Sequence, residues 1–402
     1  MEWSLVLNIV VLAMMCYLIL AVVYQLSLAG SYIFMKDSES GSLAPLNRFA
    51  VLIPAHNEEL LISVLCENIS FIDYPRNLYE VFVIADNCSD STVKICGKYP
   101  VNVLCRNDLK RQGKGFALQW ALNEFDLNKY DAVLVIDADT TVDRNILQEL
   151  NKMLNKGEEV VQCYIEVPNR NESWFTQIIF VSRTVNNLMY HLAKYKLRLS
   201  AYLMGTGMCF KTKLLLERPW TAFSLSEDWE YYALLIKEGK KIAFADKAIV
   251  YQQESRSLSQ ATTQRLRWAS GKFYVIRKLG LPLLLEGIMQ RNYLKVDSAL
   301  ALIFPNWSLQ INLILLIFIG CYLLPTSTFR TIAIAISCSL ILSQILMLLM
   351  GIKLAKNYWA VFKAILISPI FLAWKLLIDS LCAARIYKGK KWIRTKRHIT
   401  KD

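Results

Sequence analysis

The chain has 402 residues, of which 54% are apolar, and a formal net charge of +13 at pH 7. Its apolar content exceeds that of an ordinary soluble enzyme, which indicates membrane segments beside a folded domain. The charge alone would suit a nucleic-acid-binding protein, but no such signature accompanies it, so anionic lipid and a nucleoside diphosphate explain it better. The ten cysteines are scattered without a CxxC pair, which is typical of reduced thiols and argues against disulfides or a zinc site.

The first element is an apolar segment, residues 1–35, that contains no Lys or Arg. Its run from 5 to 28 is long enough to cross a bilayer. A cleaved signal peptide is the alternative, since Ser27-Leu28-Ala29 loosely resembles a cleavage site, but the basic start of a signal peptide is missing. We therefore predict an uncleaved transmembrane anchor. Lys36 and Arg48 follow it, so the positive-inside rule predicts an outer N-terminus and a cytoplasmic domain.

Residues 36–275 have the pattern of an α/β domain, in which short β-rich runs alternate with helical stretches. Strands without polar alternation that are separated by helices predict a mostly parallel sheet covered on both faces. Ligands of such sheets bind beyond the carboxyl ends of the strands. The four predicted strands are Phe49–Ile53, Val81–Ala85, Val101–Cys105 and Ala132–Ile136.

Polar motifs follow all four predicted strands. Each motif alone has an ordinary explanation as a helix cap or a turn, but four in succession indicate a ligand site. The chain has no GxGxxG or GxxxxGK[ST] sequence, which disfavours a dinucleotide oxidoreductase or a P-loop ATPase. The motifs are Pro54-Ala55-His56-Asn57-Glu58-Glu59, Asp86-Asn87-Cys88-Ser89-Asp90, the segment from Arg106 through Gly113-Lys114-Gly115, and Asp137-Ala138-Asp139.

Three further motifs lie downstream: Gly205-Thr206-Gly207, Ser226-Glu227-Asp228 and Gln264-Arg265-Leu266-Arg267-Trp268. The second motif predicts a helix from Glu227 to Lys237 with Ser226 as its N-cap. Acidic residues in a first turn also interact favourably with the helix dipole, so a purely structural role for them is an alternative. The third motif approaches the membrane segments, and its Arg and Trp could equally anchor the chain at the interface.

In order, the motifs VLIPAHNEE, IADNCSD, RQGKG, IDAD, GTG, SED and QRLRW resemble those of membrane-integrated, inverting family 2 glycosyltransferases. This group contains cellulose, chitin, hyaluronan and poly-N-acetylglucosamine synthases. The resemblance covers about residues 48 to 275 and the surrounding membrane layout. It implies an α/β, Rossmann-like GT-A domain with a mostly parallel sheet and flanking transmembrane and interfacial helices. It also implies a UDP-sugar donor (glucose or N-acetylglucosamine) and Mg²⁺ or Mn²⁺.

The resemblance assigns a donor side. Asp139 is the expected direct metal ligand and Asp137 the second carboxylate, since hard oxygen ligands suit Mg²⁺ and Mn²⁺. His56 could be a third ligand, but no second His lies at ligand spacing, so we predict a hydrogen-bonded loop histidine. The expected nucleotide-sugar-binding residues are Pro54, Ala55, Asn57, Glu58, Asp86, Lys114, Asp137, Gln264, Arg267 and Arg397.

The resemblance also assigns a catalytic and acceptor side. Asp228, next to Glu227, would take the proton from the acceptor hydroxyl, because an inverting transfer needs a base opposite the leaving group. Trp268 would stack on the acceptor sugar. Gly205, Thr206 and Gly207 would form the floor below it, where small residues let backbone approach a sugar.

Residues 276–384 carry the C-terminal apolar segments. Residues 298–329 and 331–352 contain no charge and predict a transmembrane hairpin. Residues 359–377 include two lysines and are either a third span or an interfacial helix. The tail, 385–402, has eight Lys/Arg and one acid, which predicts a cytoplasmic location. An even number of spans after the domain satisfies this, so we expect 359–377 to be interfacial.

Trp392, Thr395 and Arg397 resemble a W-x-x-T-x-R signature of some bacterial exopolysaccharide synthases. A basic tether to anionic lipid is the simpler account of the charges. The resemblance implies, in addition, a segment that folds over the bound nucleotide.

Two functions follow from these features. The leading hypothesis is a bacterial cell-membrane synthase that elongates a β-linked polysaccharide processively. The alternative is transfer of one sugar to a membrane lipid, as in ceramide glucosyltransferase or polyprenyl-phosphate sugar synthases. The few predicted spans are not enough to enclose a polymer channel. A homo-oligomer or a membrane partner would therefore complete it. A non-enzymatic scaffold is disfavoured, because no motif carboxylate is missing.

Overall fold

The four motif-bearing strands form one half of an eight-stranded sheet in the computed structural model, which describes residues 2–34, 46–322, 324–356 and 358–386. All four predicted strands are confirmed to within two residues at each end. The strands are β1 (Phe49–Ala55), β2 (Tyr79–Asp86), β3 (Asn102–Arg106), β4 (Ala132–Val135), β5 (Thr140–Val142), β6 (Val160–Glu166), β7 (Met208–Lys211) and β8 (Ala243–Gln252).

The sheet has the order β3-β2-β1-β4-β7-β6-β8-β5. Strands β3, β2, β1 and β4 are parallel, as predicted. The other half is mixed, because β7 runs antiparallel to both β4 and β6, and β5 runs antiparallel to β8. The prediction of a mostly parallel sheet therefore holds for the motif-bearing half. Strands β5 and β7 are so short that the sequence indicates neither that they exist nor in which direction they run.

Both faces of the parallel half are covered. All four residues of β4 are buried, and so are all but one of the residues in β1 and in β2. This explains why these strands read as continuous apolar runs rather than as alternating ones. The polar residues that follow them are consequently held at one edge of a rigid layer.

Helices surround the sheet and continue into the membrane segments. π-Helical segments, Asn186–Leu192 and Ile276–Gly280, join α6 to α7 and α10 to α11, so the predicted domain boundary at residue 275 falls inside a continuous helix. The helices are α1 (Glu2–Phe34), α2 (Ile62–Ser70), α3 (Thr92–Cys96), α4 (Lys114–Ala121), α5 (Ile146–Asn155), α6 (Trp174–Val185), α7 (Ala193–Lys196), α8 (Thr212–Glu217), α9 (Glu227–Lys237), α10 (Leu258–Val275), α11 (Leu281–Met289), α12 (Tyr293–Ile303), α13 (Trp307–Tyr322), α14 (Thr328–Ala355) and α15 (Tyr358–Ala383).

Three helices of the described chain are long and apolar enough to cross a membrane: α1 over Val6–Phe34, α14, and α15 over Val361–Ala383. The predicted first arm of the hairpin is not one straight span. It is the pair α12 and α13, bent by 69°. Phe304 adopts an extended conformation before Pro305, as a residue that precedes proline prefers, and this ends α12.

The length and composition of helix α15 also qualify it as a membrane span, which is the alternative to the interfacial helix that the sequence favoured. Helix α15, however, also packs against helices α6 and α10 of the α/β domain. The ring of Phe371 lies 5.9 Å from that of Phe175 in α6. The indole nitrogen of Trp374 donates to Oγ1 of Thr262 in α10 at 3.1 Å. The helix therefore packs on the α/β domain as well as on α13 and α14.

A buried ion pair joins the first helix to the rest of the molecule. The side chain of Lys194, at the start of α7, is fully buried, and its Nζ lies 2.9 Å from Oδ2 of Asp297 in α12. The hydroxyl of Tyr24 in α1 donates to Oδ1 of the same carboxylate at 2.7 Å. Removing one member of such a pair leaves an uncompensated charge in the interior. Helix α1 is thus part of the fold and more than a tether.

Candidate active site

One cavity of about 1790 Å³ opens at the carboxyl ends of β1, β2 and β4 and continues between α1, α13, α14 and α15. It brings together most of the residues that the sequence selected. Those that line it are Pro54, Ala55, Glu58, Asp86, Lys114, Asp137, Asp139, Gly205, Glu227, Asp228, Gln264, Arg267 and Trp268.

The end of β2 is organised by a buried ion pair. Arg106 Nη1 donates to Oδ1 of Asp86 at 2.6 Å, and both side chains are buried. Burial raises the pKa of the Asp86 carboxyl, while the guanidinium of Arg106 opposes that shift. Nδ1 of His56 lies 2.6 Å from the carbonyl oxygen of Asp86, in agreement with the predicted hydrogen-bonded histidine. Arg106 was missed as a site residue, although it directly follows a predicted strand.

Lys114 connects carboxylates from two of the predicted motifs. Its Nζ donates to Oδ1 of Asp137 at 2.5 Å and to the carbonyl oxygen of Gly205 at 2.6 Å, and lies 3.8 Å from Oε1 of Glu227. Burial disfavours its charge, but Asp137, Glu227 and Asp228 outweigh that effect and raise the pKa of Lys114. The ammonium group therefore stays charged beside three carboxylates, where it fixes their positions.

Asp228, in the first turn of α9, has the environment of a general base. Burial raises its pKa to about 7, and the neighbouring Glu227 adds to the shift. The backbone N–H of Trp229 donates to its Oδ1 at 2.9 Å, which leaves the carboxylate oriented. Burial likewise raises the pKa of Glu227, although Lys114 counteracts it. A carboxylate that titrates near pH 7 can accept a proton efficiently at physiological pH.

Asp137 and Asp139 line the cavity just beyond β4. In the part of the chain that the structure describes, no group of three or more His, Cys, Asp or Glu side chains is arranged to hold a metal ion. Two carboxylates fit Mg²⁺ or Mn²⁺ when oxygens of a bound diphosphate and water complete the coordination. Asp137 accepts a hydrogen bond from Lys114.

The helix predicted after Ser226 is confirmed as α9, Glu227–Lys237, but the predicted side-chain cap is wrong. Ser226 occupies the N-cap position, and its side chain makes no capping hydrogen bond. Helix α10 packs directly against it. A Cβ at Gly271 would lie only 2.1 Å from the Ser226 hydroxyl oxygen, so glycine permits this approach. The two acceptor-side motifs are thereby held together.

Three predicted residues do not line the cavity, and a fourth, Arg397, lies outside the described residues together with Trp392 and Thr395. Asn57 instead accepts a hydrogen bond from the backbone N–H of Ser89 at 2.7 Å. Thr206 is buried and accepts from the backbone N–H of Asp137. Gly207 has φ +64°, and a Cβ there would lie 2.8 Å from that of Cys163. These residues support the wall that the neighbouring motif residues form.

Sequence reasoning also missed a network behind Trp268. The guanidinium carbon of Arg265 lies 4.6 Å from the centroid of the Trp268 ring. Nη2 of Arg265 donates to Glu254 at 2.6 Å, and Arg183 contacts the same carboxylate at 3.4 Å. Arg265 lies inside the QRLRW motif, which was a usable signal, whereas nothing near Glu254 in the sequence marked it.

The comparisons with known proteins agree with this geometry. Residues 45–271, more than half of the chain, match the family described as glycosyltransferase like family 2. The chain belongs to this family. It is a glycosyltransferase.

Individual relatives match only in part. The chain is 27% identical over 246 residues to the probable glycosyltransferase YdaM of Bacillus subtilis, an alignment that covers 59% of this chain and 58% of that protein. It is 31% identical over 135 residues to a β-monoglucosyldiacylglycerol synthase of Trichormus variabilis, covering 32% of this chain and 28% of the relative. It is 28% identical over 148 residues to the hyaluronan synthase of Streptococcus pyogenes, with coverages of 33% and 32%. Less than two thirds of each relative is spanned.

The fold also matches a solved structure. The mannosyltransferase PcManGT of Pyrobaculum calidifontis, in complex with GDP-Man and Mn²⁺, gives a TM-score of 0.55 at 18% identity. The match covers 85% of this chain and 99% of that one. It shows that the α/β domain of the glycosyltransferase has the GT-A architecture.

The membrane-side part of the cavity in this glycosyltransferase has a polar wall. The indole nitrogen of Trp307 in α13 donates to Oε1 of Gln344 in α14 at 2.8 Å. The amide nitrogens of Gln344 and Gln310 are buried and donate to no protein atom within the described chain. The side chain of Gln25 in α1 also lines the cavity. Buried amides usually find partners, so these groups face a space suited to a polar ligand.

Proposed function

We propose that this glycosyltransferase moves a sugar from a UDP-sugar, with glucose or N-acetylglucosamine, to the end of a growing β-linked polysaccharide. The earlier units of the product would occupy the cavity section between α1, α13, α14 and α15. The observation that carries the proposal is the continuity of the carboxylate site with that section, whose wall presents indole and amide groups.

The reaction needs one base. The acceptor hydroxyl oxygen attacks C1 of the sugar, the bond from C1 to the diphosphate oxygen breaks, and the hydroxyl proton goes to Asp228. Its carboxylate is buried, with a pKa of about 7, and Glu227 lies beside it. The buried pair of carboxylates is thus suited to accept the hydroxyl proton directly from the acceptor, without exchange with bulk water.

The donor-side residues would bind the leaving nucleotide. Asp86 and the loop from Pro54 to Glu58 would hold the nucleoside, and Lys114 with Arg267 would face the diphosphate. Asp139 and Asp137 would hold Mg²⁺ or Mn²⁺. When bound, the cation neutralises charge that grows on the diphosphate as it leaves.

The test is product size. The purified protein, in lipid nanodiscs, is incubated with radiolabelled UDP-glucose or UDP-N-acetylglucosamine, and the products are resolved by gel electrophoresis and by partition into organic solvent. A ladder or a high polymer supports the proposal. A single lipid-soluble product contradicts it.

A variant of the cavity wall sharpens the test. Gln344→Leu removes an amide from the membrane-side section without touching a carboxylate motif, so we expect shorter products at an unchanged rate of first transfer. Ser343→Ala is the matched control, because its hydroxyl bonds to the Ser339 carbonyl of its own helix. Equal product lengths in both variants would show that the wall does not hold the product.

The second candidate is transfer of one sugar to a membrane lipid. It is favoured by apolar side chains in the same cavity section, which include Ile311, Ile345, Leu348 and Ile365. The printed name of one partial relative, a glucosyldiacylglycerol synthase, is in line with it. Such a wall would accommodate an acyl chain. The product-size experiment distinguishes the two candidates directly.

We further propose that the catalytic domain is cytoplasmic and that α15 lies along it at the interface. The contacts of Phe371 with α6 and of Trp374 with α10 support this placement. Crossings by α12–α13 and by α14 then return the basic tail, 385–402, to the cytoplasm. The four helices wall the cavity within one chain, so the proposal does not require a second copy or a membrane partner. Cysteine labelling from either side of sealed vesicles checks the orientation.

A further inference from the structure

A lysine lies on the acceptor side of the cavity, beside the start of α9. Lys272 follows Trp268 by one turn of α10 and lines the cavity. Its Nζ lies 4.9 Å from the centroid of the Trp229 ring, and Trp229 directly follows the general base Asp228. The close packing at Gly271 fixes this part of α10 against the start of α9. The ammonium group is therefore held close to the place where the acceptor must bind.

Within the described part of the chain, no ion pair balances the charge of Lys272. The charge of Asp379 in α15 influences Lys272, but its carboxylate is already bonded to Lys375. Burial lowers the pKa of Lys272 to about 8, so the side chain is still mostly protonated at pH 7. Buried charges are normally paired, and a cation–π contact compensates only part of the desolvation.

The surrounding charges favour an anion from outside the protein. Lys272, Lys375 and Asp379 all line the cavity and together carry one net positive charge. Asp137 and Glu227 do not supply the missing partner, because the ammonium group of Lys114 pairs with both. The donor diphosphate, in the proposed function, lies on that opposite side.

We propose that Lys272 binds an acidic group, a carboxylate or a phosphate, on the acceptor. The acid would belong either to an acceptor sugar unit that this transfer does not itself add, or to a lipid that carries the reacting hydroxyl. This inference rests on the proposed function for the location of the acceptor. It adds that the acceptor is anionic, and that Trp229 and Lys272 together select it over a neutral analogue.

The experiment measures binding, which does not depend on whether the product is a polymer or a lipid. Hexyl β-glucuronide, hexyl β-glucoside and hexyl phosphate are titrated calorimetrically into the full-length protein in zwitterionic nanodiscs that contain UDP. The first two ligands differ only in the acidic group. We expect at least tenfold tighter binding of one of the two acidic ligands than of the glucoside. The acidic ligand that binds more tightly identifies the source of the anion.

Variants assign the preference to the side chain. Lys272→Met should abolish it, and Lys272→Arg should retain most of it. Lys213→Met removes an exposed positive charge on α8 and should change nothing. Equal binding of all three ligands by the unmodified protein would overturn the proposal, even if Lys272→Met failed to fold. A loss of UDP affinity in Lys272→Met as large as the loss of acidic-ligand affinity would also overturn it, because Lys272 would then belong to the donor site.

Discussion

The donor half and the acceptor half of the cavity differ in how their polar groups are satisfied. On the donor half, Asp86 is paired with Arg106, and Asp137 is paired with Lys114. On the acceptor half, Lys272 lacks an ion-pair partner among the described residues, and the amide nitrogens of Gln310 and Gln344 donate to no described protein atom. A preorganised half suits a donor that is always the same. A half whose polar groups lack protein partners suits an acceptor that must enter, react and then move.

The largest effect is expected at the metal carboxylate. Asp139→Asn replaces an anionic ligand with a neutral amide, so transfer should be abolished while the protein still folds and inserts. The measurement is transfer with Mn²⁺ or Mg²⁺ and after addition of excess chelator. Full activity in excess chelator would contradict the assignment of a metal ion to the donor half.

Asp228→Asn should reduce kcat by about 10²–10⁴-fold, the usual consequence of losing a general base. Because Asp228 faces the acceptor side, UDP affinity measured by calorimetry should stay within twofold. An equal fall in affinity and rate would place Asp228 in the donor half and contradict its role as the base.

Arg106→Met tests whether the donor half is preorganised by its ion pairs. The variant leaves a buried carboxylate at Asp86 without a counter-charge, which typically costs about 3–5 kcal/mol. We expect a clear drop in the thermal unfolding midpoint and in UDP affinity. The control is Lys152→Met, which breaks a largely exposed pair with Glu149 and should cost less than about 1 kcal/mol. Similar midpoints for the two variants would show that the Asp86 pair is dispensable.

The rate should depend on pH through Asp228. Its pKa is raised to about 7, and the base works only when deprotonated, so kcat should fall about tenfold per pH unit below 7 and level off above it. The measurement is kcat at saturating donor and acceptor between pH 5 and 8. A flat profile down to pH 5 would mean that this carboxyl does not accept the proton.

The smallest effect is expected at Arg265. Arg265→Lys keeps the charge beside Glu254 but loses the flat guanidinium over Trp268, a contact worth about 0.5–2 kcal/mol. We expect a rise of about threefold to tenfold in the acceptor concentration for half-maximal rate, with the donor KM unchanged. A change in the donor KM alone would show that Trp268 belongs to the donor half.

The same division separates what the sequence predicted from what it did not. The four parallel strands and the α9 helix were predictable because each is a local pattern followed by its polar motif. Asp86, Lys114, Asp137 and Asp228 were selected from the sequence for the same reason, and all four line the cavity. Their mutual pairing through Lys114 is a contact between distant segments, and no local pattern records it.

The acceptor half was poorly predictable because its contacts join segments that are far apart in the sequence. Glu254 forms ion pairs with Arg183 in α6 and with Arg265 in α10. Trp374 donates a hydrogen bond to Thr262, more than a hundred residues away in the sequence. The bend between α12 and α13 was also missed, although Pro305 marks it, since the whole segment is uncharged. Charge and hydropathy identify a membrane segment without showing which face it presents.

The buried pair of Lys194 and Asp297 sets an order of events during synthesis. Helix α1 leaves the ribosome first, and Tyr24 and Lys194 are both made well before the carboxylate that they contact. Tyr24 can already lie against Tyr190 of the α/β domain, but the buried polar contact between them and α12 is incomplete until Asp297 has been translated. From that moment Lys194 has its counter-charge, and the other cavity walls, α13, α14 and α15, follow. A ribosome stalled just before residue 297 would carry a folded domain with a protease-accessible α7, and one stalled well after α12 would not.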